Sequence, residues 1–291
     1  MRTAPQLEIL TAPAQGRKKA DLLLVHGAWL SAWCWEPHFM PYFAERGYAC
    51  TALSLRGHGR SEGALRGASI DDYVNDLHCV ARSLDDCFVV GHSMGGFVAQ
   101  HYAARHPVRG LILLASVPHS GAWSAMLNVM RASPSRVLEC LATLDLGPIA
   151  RDVGVARRLL FSRDASHREK DAFLMRLGSE SFLALLGMLF FPAPRGAARS
   201  AMPTAVIGAE ADEIVGLAEL RATAGFYGIE PQVLAKSSHM LMLDDQWRVA
   251  AEFIEAWLER RLACPGDSGA AGSGAKPPPA EPEASMGGSR D

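Results

Sequence analysis

Six short stretches of the chain are apolar throughout, without the polar and apolar alternation that marks a strand with one solvated face. Most of them end at a glycine or at a polar loop. Runs of this kind are typical of strands buried on both faces, as in a parallel sheet that helices cover. The predicted strands are Leu22–Val25, Ala49–Leu55, Phe88–Val90, Leu111–Ala115, Thr204–Gly208 and Gln232–Ala235.

Helical patterns lie between these strands. Ser69 is followed three residues later by Asp72, a capping-box pattern that predicts the start of a helix. A second helix is predicted from Met94 to about Arg105, ahead of Pro107, and a last one over about Gln246–Leu262. Strands that alternate with helices predict an α/β fold, with a mostly parallel central sheet flanked by helices.

The alternation stops in the region 121–199, which has Pro and Gly punctuation, short helical patterns and no clear buried strand. Because this region falls between the fourth and fifth predicted strands, we expect an inserted helical cap there, on a core of residues 1–120 and 200–262. Residues 263–291 are rich in Gly, Pro, Ala and Ser. Such a composition cannot offset the entropy of ordering, so a disordered tail is predicted.

Composition narrows the function classes. A net charge of -2 without a long basic run argues against nucleic acid as a partner. The longest apolar run, Phe182–Phe191, is too short to span a bilayer, and no secretory signal pattern begins the chain. The six cysteines form neither a C-x-x-C pair nor a metal-binding spacing. We therefore expect a cytoplasmic protein with reduced thiols and no stable membrane insertion.

The pattern G-x-S-x-G occurs twice, around Ser93 in Gly91–Gly95 and around Ser61 in Gly59–Gly63. It marks a nucleophilic serine where it forms a tight strand-to-helix turn, since only small residues fit two positions before and after the serine. Ser93 follows a predicted buried strand and precedes a predicted helix, and is the predicted nucleophile. Ser61 lies in Gly-rich loop sequence with no apolar helix behind it, and serves as an internal control.

A nucleophilic serine needs a general base, and the base needs a third group to orient it. His239 follows the sixth predicted strand, in a loop where open α/β sheets place their ligands, and is the predicted base. His119 and His167 also follow Ser93 in the chain, but ordinary polar roles in a loop or in the cap are expected for them.

The orienting acid is expected after the preceding strand. Asp212 is favoured there, with Glu210 as the alternative and Glu213 also within reach.

An oxyanion needs hydrogen-bond donors. The backbone N–H of Met94, next to the nucleophile, is one predicted donor, and the N–H of Ala28 in the loop after the first predicted strand is the other. Trp29 and His92, the sequence neighbours of Ala28 and Ser93, are predicted to contact the substrate. Further aromatic walls are expected from Trp33, Trp35 and Trp123, which are equally compatible with a core role.

These motifs together resemble the α/β-hydrolase fold superfamily, in particular serine esterases and lipase-like bacterial members with a cap. The resemblance implies a Ser93–His239–Asp212 triad that needs no metal and no organic cofactor. Relatives that open epoxides or remove halides use Asp as the nucleophile, and Ser93 argues against both activities. The resemblance frames residues 20–260 and rests on Leu23–Trp29, Leu55–Ser61, Val89–Gly96, the stretch around Asp212, and Ser238–Met240.

The expected activity is hydrolysis of a small or medium hydrophobic carboxylic ester, with a small-molecule ester as the partner. Other chemistry on the same triad stays open: C–C bond hydrolysis, thioester hydrolysis, acyl transfer, perhydrolysis or a lyase step. A ligand-binding member without catalysis is a further alternative. The cap run Phe182–Phe191 is expected to be the buried core of the cap, or else the lining of an acyl pocket. The oligomeric state is left open.

Overall fold

The computed structural model describes residues 5–84, 86–161, 167–194, 196 and 202–263; all but the first residue of the predicted tail lies outside this part of the chain. One sheet has the strand order β1-β3-β2-β4-β5-β6-β7. Only β1 is antiparallel to its neighbour, and every other pair is parallel. The strands are β1 Ile9–Ala12, β2 Ala20–Val25, β3 Tyr48–Leu53, β4 Phe88–His92, β5 Gly110–Leu114, β6 Thr204–Ala209 and β7 Gln232–Leu234.

The six predicted strands are confirmed as β2 to β7, and the predicted α/β class with a mostly parallel sheet is confirmed with them. Every residue of β2, β4, β5 and β6 is buried, which explains why these runs lack alternation. The prediction missed β1, a four-residue edge strand whose side chains are half-buried or exposed. Its pairing depends on contacts with β3, and its own sequence carries little hydrophobic signal.

Helices cover the sheet. The capping box at Ser69 and Asp72 is present at the start of α2, and the predicted helices after Met94 and near the carboxyl end are α3 and α11. Helix α1 packs against α11, and α2 packs against α3. The helices that accompany the sheet are α1 Phe39–Glu45, α2 Ile70–Ala81, α3 Met94–Ala103, α10 Leu217–Phe226 and α11 Trp247–Ala263.

Between β5 and β6 the described residues form six helices and no strand. Residues 121–194 are called the cap below. Its helices are α4 Trp123–Ala132, α5 Pro134–Thr143, α6 Gly147–Arg151, α7 Val153–Leu160, α8 His167–Leu174 and α9 Phe182–Phe190.

The order of the strands creates one crevice. Strand β2 lies between β3 and β4, so the chain reverses its direction of travel across the sheet on leaving β3. Val25 pairs with Gly91, which aligns the carboxyl ends of β2 and β4 side by side. Open α/β sheets bind ligands at such a switch point. The loop after β2 and the turn after β4 therefore share one site.

The cysteines within the described ranges are free thiols, and four of the five are buried. None of the helices described is long and apolar enough to cross a lipid bilayer.

Candidate active site

Ser93 occupies the turn between β4 and α3. Its φ of 51° and ψ of -118° lie outside the conformations that side-chain-bearing residues usually adopt. The turn is held by the Ser93 N–H, which donates to the Leu114 carbonyl (3.0 Å), and by the Ser93 carbonyl, which accepts from the N–H groups of Gly96 and Val117. A strained serine fixed in this way points its hydroxyl out of the turn, as a nucleophile requires.

Close backbone approach explains the glycines around this turn. A Cβ on Gly91 would lie 2.6 Å from both the Gly95 carbonyl oxygen and the Gly96 Cα. A Cβ on Gly27, in the loop after β2, would lie 2.9 Å from the Cβ of Ser93. Neither glycine has a positive φ. They are needed because there is no room for a side chain where the turn meets the neighbouring loop.

His239 reaches Ser93 from the loop after β7. Its Nε2 lies 3.0 Å from the Ser93 Oγ, and its Nδ1 lies 2.8 Å from Asp212 Oδ2. With the Nδ1 proton donated to the carboxylate, Nε2 is free to accept the hydroxyl proton. The His239 and Asp212 side chains are 2% and 1% exposed, so their interaction is shielded from water.

Asp212 is itself fixed from the other side. Its Oδ1 accepts hydrogen bonds from the backbone N–H groups of Ile214 (2.8 Å) and Val215 (2.9 Å), which leaves Oδ2 for the histidine. The alternative acid, Glu210, is exposed and accepts from the Lys236 N–H instead. Glu213 forms an ion pair with Arg158 of the cap. The structure thus brings together Ser93, His239 and Asp212, and neither glutamate.

The substrate contact of His92 stays a prediction, and the structure gives its side chain another contact. Its ring is buried, and its Nε2–H donates to the His239 carbonyl (2.9 Å). Burial, together with the nearby His239, lowers the pKa of His92 to about 3, so the ring is neutral. His92 supports the loop that carries His239 and does not line the cavity described below.

Both residues that are predicted to supply oxyanion donors line the cavity at Ser93. Met94 is the first residue of α3, so its N–H has no acceptor within the helix and lies at the positive end of the helix dipole. Ala28 lines the same cavity as Ser93 and Met94. Across the described residues, no backbone carbonyl accepts a hydrogen bond from the Ala28 N–H. Ala28 and Met94 therefore share a cavity with Ser93, and their role as oxyanion donors stays a prediction.

A small apolar cavity of about 70 Å³ opens beside Ser93. The core contributes Ala28, Trp29, Met94, Val117 and Ile214 to its walls. The cap contributes the larger share, and all of it is apolar: Ala122, Ala125, Met126, Val129, Leu146, Ile149, Leu185 and Met188. Ser93 is the one hydroxyl-bearing residue of this lining.

Trp29 is the aromatic wall of the cavity. Its φ of 63° is strained for a bulky residue, and the cap holds it there. The indole Nε1–H donates to the Leu146 carbonyl (3.0 Å), and the Trp29 carbonyl accepts from the Gly178 N–H (2.8 Å). Trp33 and Trp35 belong to the core instead, and Trp123 is exposed on the cap.

The expectation of a buried cap core at Phe182–Phe191 is only partly met. In α9, Leu185 and Met188 are buried and line the cavity, whereas Leu183 and Phe190 are exposed. Sequence reasoning also missed the lining residues of α4, which recur at helical spacing. That pattern shows that a helix has an apolar face, but not what the face covers.

Among the other candidates, the Ser61 hydroxyl is bonded to backbone groups. Its Oγ donates to the Ser54 carbonyl (2.6 Å) and accepts from the Glu8 N–H (2.8 Å). His119 stacks on Phe226, at 4.3 Å between ring centroids. The side chain of His167 lies outside the described residues.

The sequence is similar to those of several known proteins. A model of the alpha/beta hydrolase family matches residues 22–253. A putative non-heme haloperoxidase of Mycobacterium phage D29 is 30% identical over 254 residues, which cover 81% of this chain and 86% of that one. A bifunctional esterase/perhydrolase of Acinetobacter calcoaceticus is 33% identical over 109 residues, which cover 35% of this chain and only 39% of that protein.

Solved structures agree on the fold. An esterase from Exiguobacterium antarcticum superposes with a TM-score of 0.71 at 15% identity, over 88% of this chain and 96% of that one. A putative non-heme bromoperoxidase from Mycobacterium tuberculosis gives 0.70 at 19% identity, over 89% and 97%. The family match runs from β2 into the last helix and includes the loops of Ser93 and His239, and we conclude that the chain belongs to the alpha/beta hydrolase family.

Proposed function

We propose that the protein is a serine carboxylesterase that hydrolyses esters with short apolar acyl groups. The observation that carries the proposal is the continuous relay from Asp212 through His239 to Ser93 at the wall of an apolar cavity. The relatives named as esterases support the same class of reaction.

The reaction follows from the geometry. The Ser93 Oγ attacks the acyl carbon while His239 Nε2 takes the hydroxyl proton, and Asp212 stabilises the resulting imidazolium. The N–H groups of Ala28 and Met94 hold the oxyanion, a contribution that typically amounts to about 10²–10³ in rate for one donor. His239 then protonates the leaving alcohol. Water, activated by the same histidine, hydrolyses the acyl-enzyme and regenerates Ser93.

The cavity limits the acyl group. Its volume of about 70 Å³ is roughly half of an engineered apolar cavity that binds benzene. Its lining offers no charged side chain to a polar acyl group. An acetyl or butanoyl group fits this space, whereas a long acyl chain requires the cap to move.

A panel of p-nitrophenyl esters from acetate to decanoate tests the proposal. We expect kcat/KM to be highest for the short esters. Met126→Ala shortens a lining side chain of α4 and should raise kcat/KM for the octanoate ester by about tenfold, since a methylene or two in a pocket changes discrimination by that order. Its neighbour Leu127 is exposed, so Leu127→Ala is the matched control and should leave the profile unchanged. A wild type that prefers decanoate contradicts the short-acyl assignment.

Perhydrolysis is a second candidate, because two relatives are named as a haloperoxidase and as an esterase/perhydrolase. In this reaction hydrogen peroxide replaces water. A peroxide oxygen attacks the acyl carbon, the bond from that carbon to Ser93 Oγ breaks, and the peroxide proton passes through His239 to Ser93. Peracid released from ethyl acetate and hydrogen peroxide by the wild type, and lost in Ser93→Ala, would support it. Hydrolysis alone under the same conditions would exclude it.

A further inference from the structure

Lys170 of helix α8 is a buried lysine in the cap. Its side chain is 3% exposed, and lysines are almost never buried to this degree without a partner. Its Nζ lies 3.4 Å from Asp244 Oδ1 and 3.0 Å from Asp245 Oδ2, and 5.6 Å above the ring of Phe161. The contacts join the cap to the segment that follows His239.

Asp244 uses its other oxygen next to His239. Its Oδ2 accepts the backbone N–H of Ser238 (2.7 Å) and also the Ser238 hydroxyl, while its Oδ1 accepts the Asp245 N–H (2.8 Å). The Asp244 side chain is 1% exposed. A buried carboxylate without a compensating charge is strongly unfavourable, and the Lys170 ammonium lies within ion-pair distance of this one.

The cap also contacts both sequence neighbours of His239 directly. The Leu160 carbonyl, at the end of α7, accepts from the Met240 N–H (3.1 Å). It also lies 3.0 Å from the Ser238 Oγ, whose one proton it shares with Asp244 Oδ2. The His239 backbone carbonyl accepts from the His92 ring of the core (2.9 Å) and from the Leu241 N–H (3.0 Å). The histidine loop is therefore held between the core on one side and Leu160 and Lys170 of the cap on the other.

We propose that Lys170 is a positioning residue for His239, acting through Asp244 and Ser238. This inference rests on the proposed function and deepens it: the cap supplies the acyl pocket and also holds the general base in line with Ser93. A small displacement of His239 is enough to matter, because a misplacement of about 1 Å at a reacting group costs up to about 10² in rate.

Lys170→Met tests the proposal, with the labelling rate of Ser93 by a fluorophosphonate probe measured beside kcat and KM for p-nitrophenyl butanoate. We expect kcat and the labelling rate to fall together by about tenfold or more, with KM changed less than about twofold. Lys170→Arg, which retains the charge, should recover most of the loss. Arg136→Met is the matched control, because Arg136 pairs with Asp152 and Glu139 inside the cap and should leave both rates unchanged.

If Lys170 only stabilised the fold, the labelling rate would recover once the buried charges are removed together. The double variant Lys170→Met/Asp244→Asn removes both charges, so no lone buried charge opposes folding, while the Asn oxygen can still accept from Ser238. We expect this variant to melt close to the wild-type temperature and still to label slowly, because the connection to the cap is lost. Wild-type labelling in either variant overturns the positioning role. A wild type that the probe does not label overturns the proposed function instead.

Discussion

Ser93 and Ser61 stand at the centre of the same five-residue pattern, but their hydroxyl groups have different partners. The Ser93 Oγ meets the imidazole of His239 in an apolar cavity. The Ser61 Oγ bridges two backbone groups, the Ser54 carbonyl and the Glu8 N–H, and so ties the segment before β1 to the end of β3. The Ser93 hydroxyl is therefore bonded to a base, whereas the Ser61 hydroxyl makes structural hydrogen bonds to the backbone.

The flanking glycines differ in the same way. Gly91 is required because a Cβ there would press on the backbone of α3. Gly63 instead has a φ of 107°, which favours glycine for its conformational freedom. Gly59 combines a φ of 55° with crowding, since a Cβ there would lie 2.8 Å from the Ser54 Oγ. Glycines of the same motif therefore meet two different requirements: close backbone approach at Gly91 and a positive φ at Gly63. A motif identifies a nucleophile only when the residues around it form the strand and the helix that make the turn tight.

A buried histidine lies near each serine in sequence, and folding shifts the pKa values of the two histidines in opposite directions. Burial and His239 lower the pKa of His92 to about 3. Burial disfavours the charged form of His58 too, but the Glu180 carboxylate at 3.0 Å outweighs it and raises the pKa of His58. Since Glu180 belongs to the cap and also accepts from Tyr73 (2.7 Å), the His58–Glu180 pair is a second buried link between cap and core.

Replacing each serine by alanine gives the largest expected contrast. Ser93→Ala should lower kcat by about 10⁵–10⁶ with the melting temperature preserved, because the nucleophile is lost and no structural hydrogen bond goes with it. Ser61→Ala should keep activity within about threefold of wild type but cost about 1–3 kcal/mol of stability, since the Glu8 N–H loses an acceptor. Ester hydrolysis and urea denaturation measure the two effects. Comparable activity in the two variants would contradict the assignment of Ser93.

Replacing one glycine in each motif separates close approach from backbone strain. Gly91→Ala should cost about 3 kcal/mol or more, and should lower kcat by about 10² because the added methyl displaces the turn. Gly63→Ala, where the nearest atom to a new Cβ is 3.1 Å away, should cost about 1–3 kcal/mol of strain and leave kcat unchanged. Equal losses of activity would mean that the second turn also supports the site.

The pH dependence of stability gives the smallest effect, with opposite signs for the two histidines. The pKa of His58 is raised by folding, so its contribution is present below about pH 6.5 and is lost as the pH rises through the folded value. The pKa of His92 is lowered by folding, so stability is lost as the pH falls from about 6.5 toward the folded value of about 3.

Melting temperatures from pH 4 to pH 9 would show this difference. His58→Gln should flatten the alkaline side of the profile, and His92→Asn should flatten the acidic side, each by a few degrees. An unchanged alkaline side in His58→Gln would argue against a charged His58–Glu180 pair.

The sequence predicted the sheet well because its strands are buried on both faces. Burial of this kind leaves a short continuous apolar run, as in Leu22–Val25, whereas the longer run Phe182–Phe191 forms a helix. The prediction from sequence left out β1, because a short edge strand is stabilised by its neighbour and not by its own side chains. The sequence could place Asp212 ahead of Glu210 only as a preference. The structure separates them, through the N–H groups of Ile214 and Val215 that turn one carboxylate toward the histidine.

By itself, the sequence determined the class of fold and the order in which Ser93, Asp212 and His239 appear, because burial patterns and turn chemistry are local properties of a chain. Only the tertiary structure decided what each side chain meets: His92 supports a loop, Ser61 ties two segments together, and Lys170 reaches the segment after His239. Such contacts join residues that are far apart in sequence, and their distances and burial exist only once the chain has packed. The Gly91–Gly95 pattern named a candidate nucleophile, and the neighbours brought by folding gave it a base, an acid and a pocket.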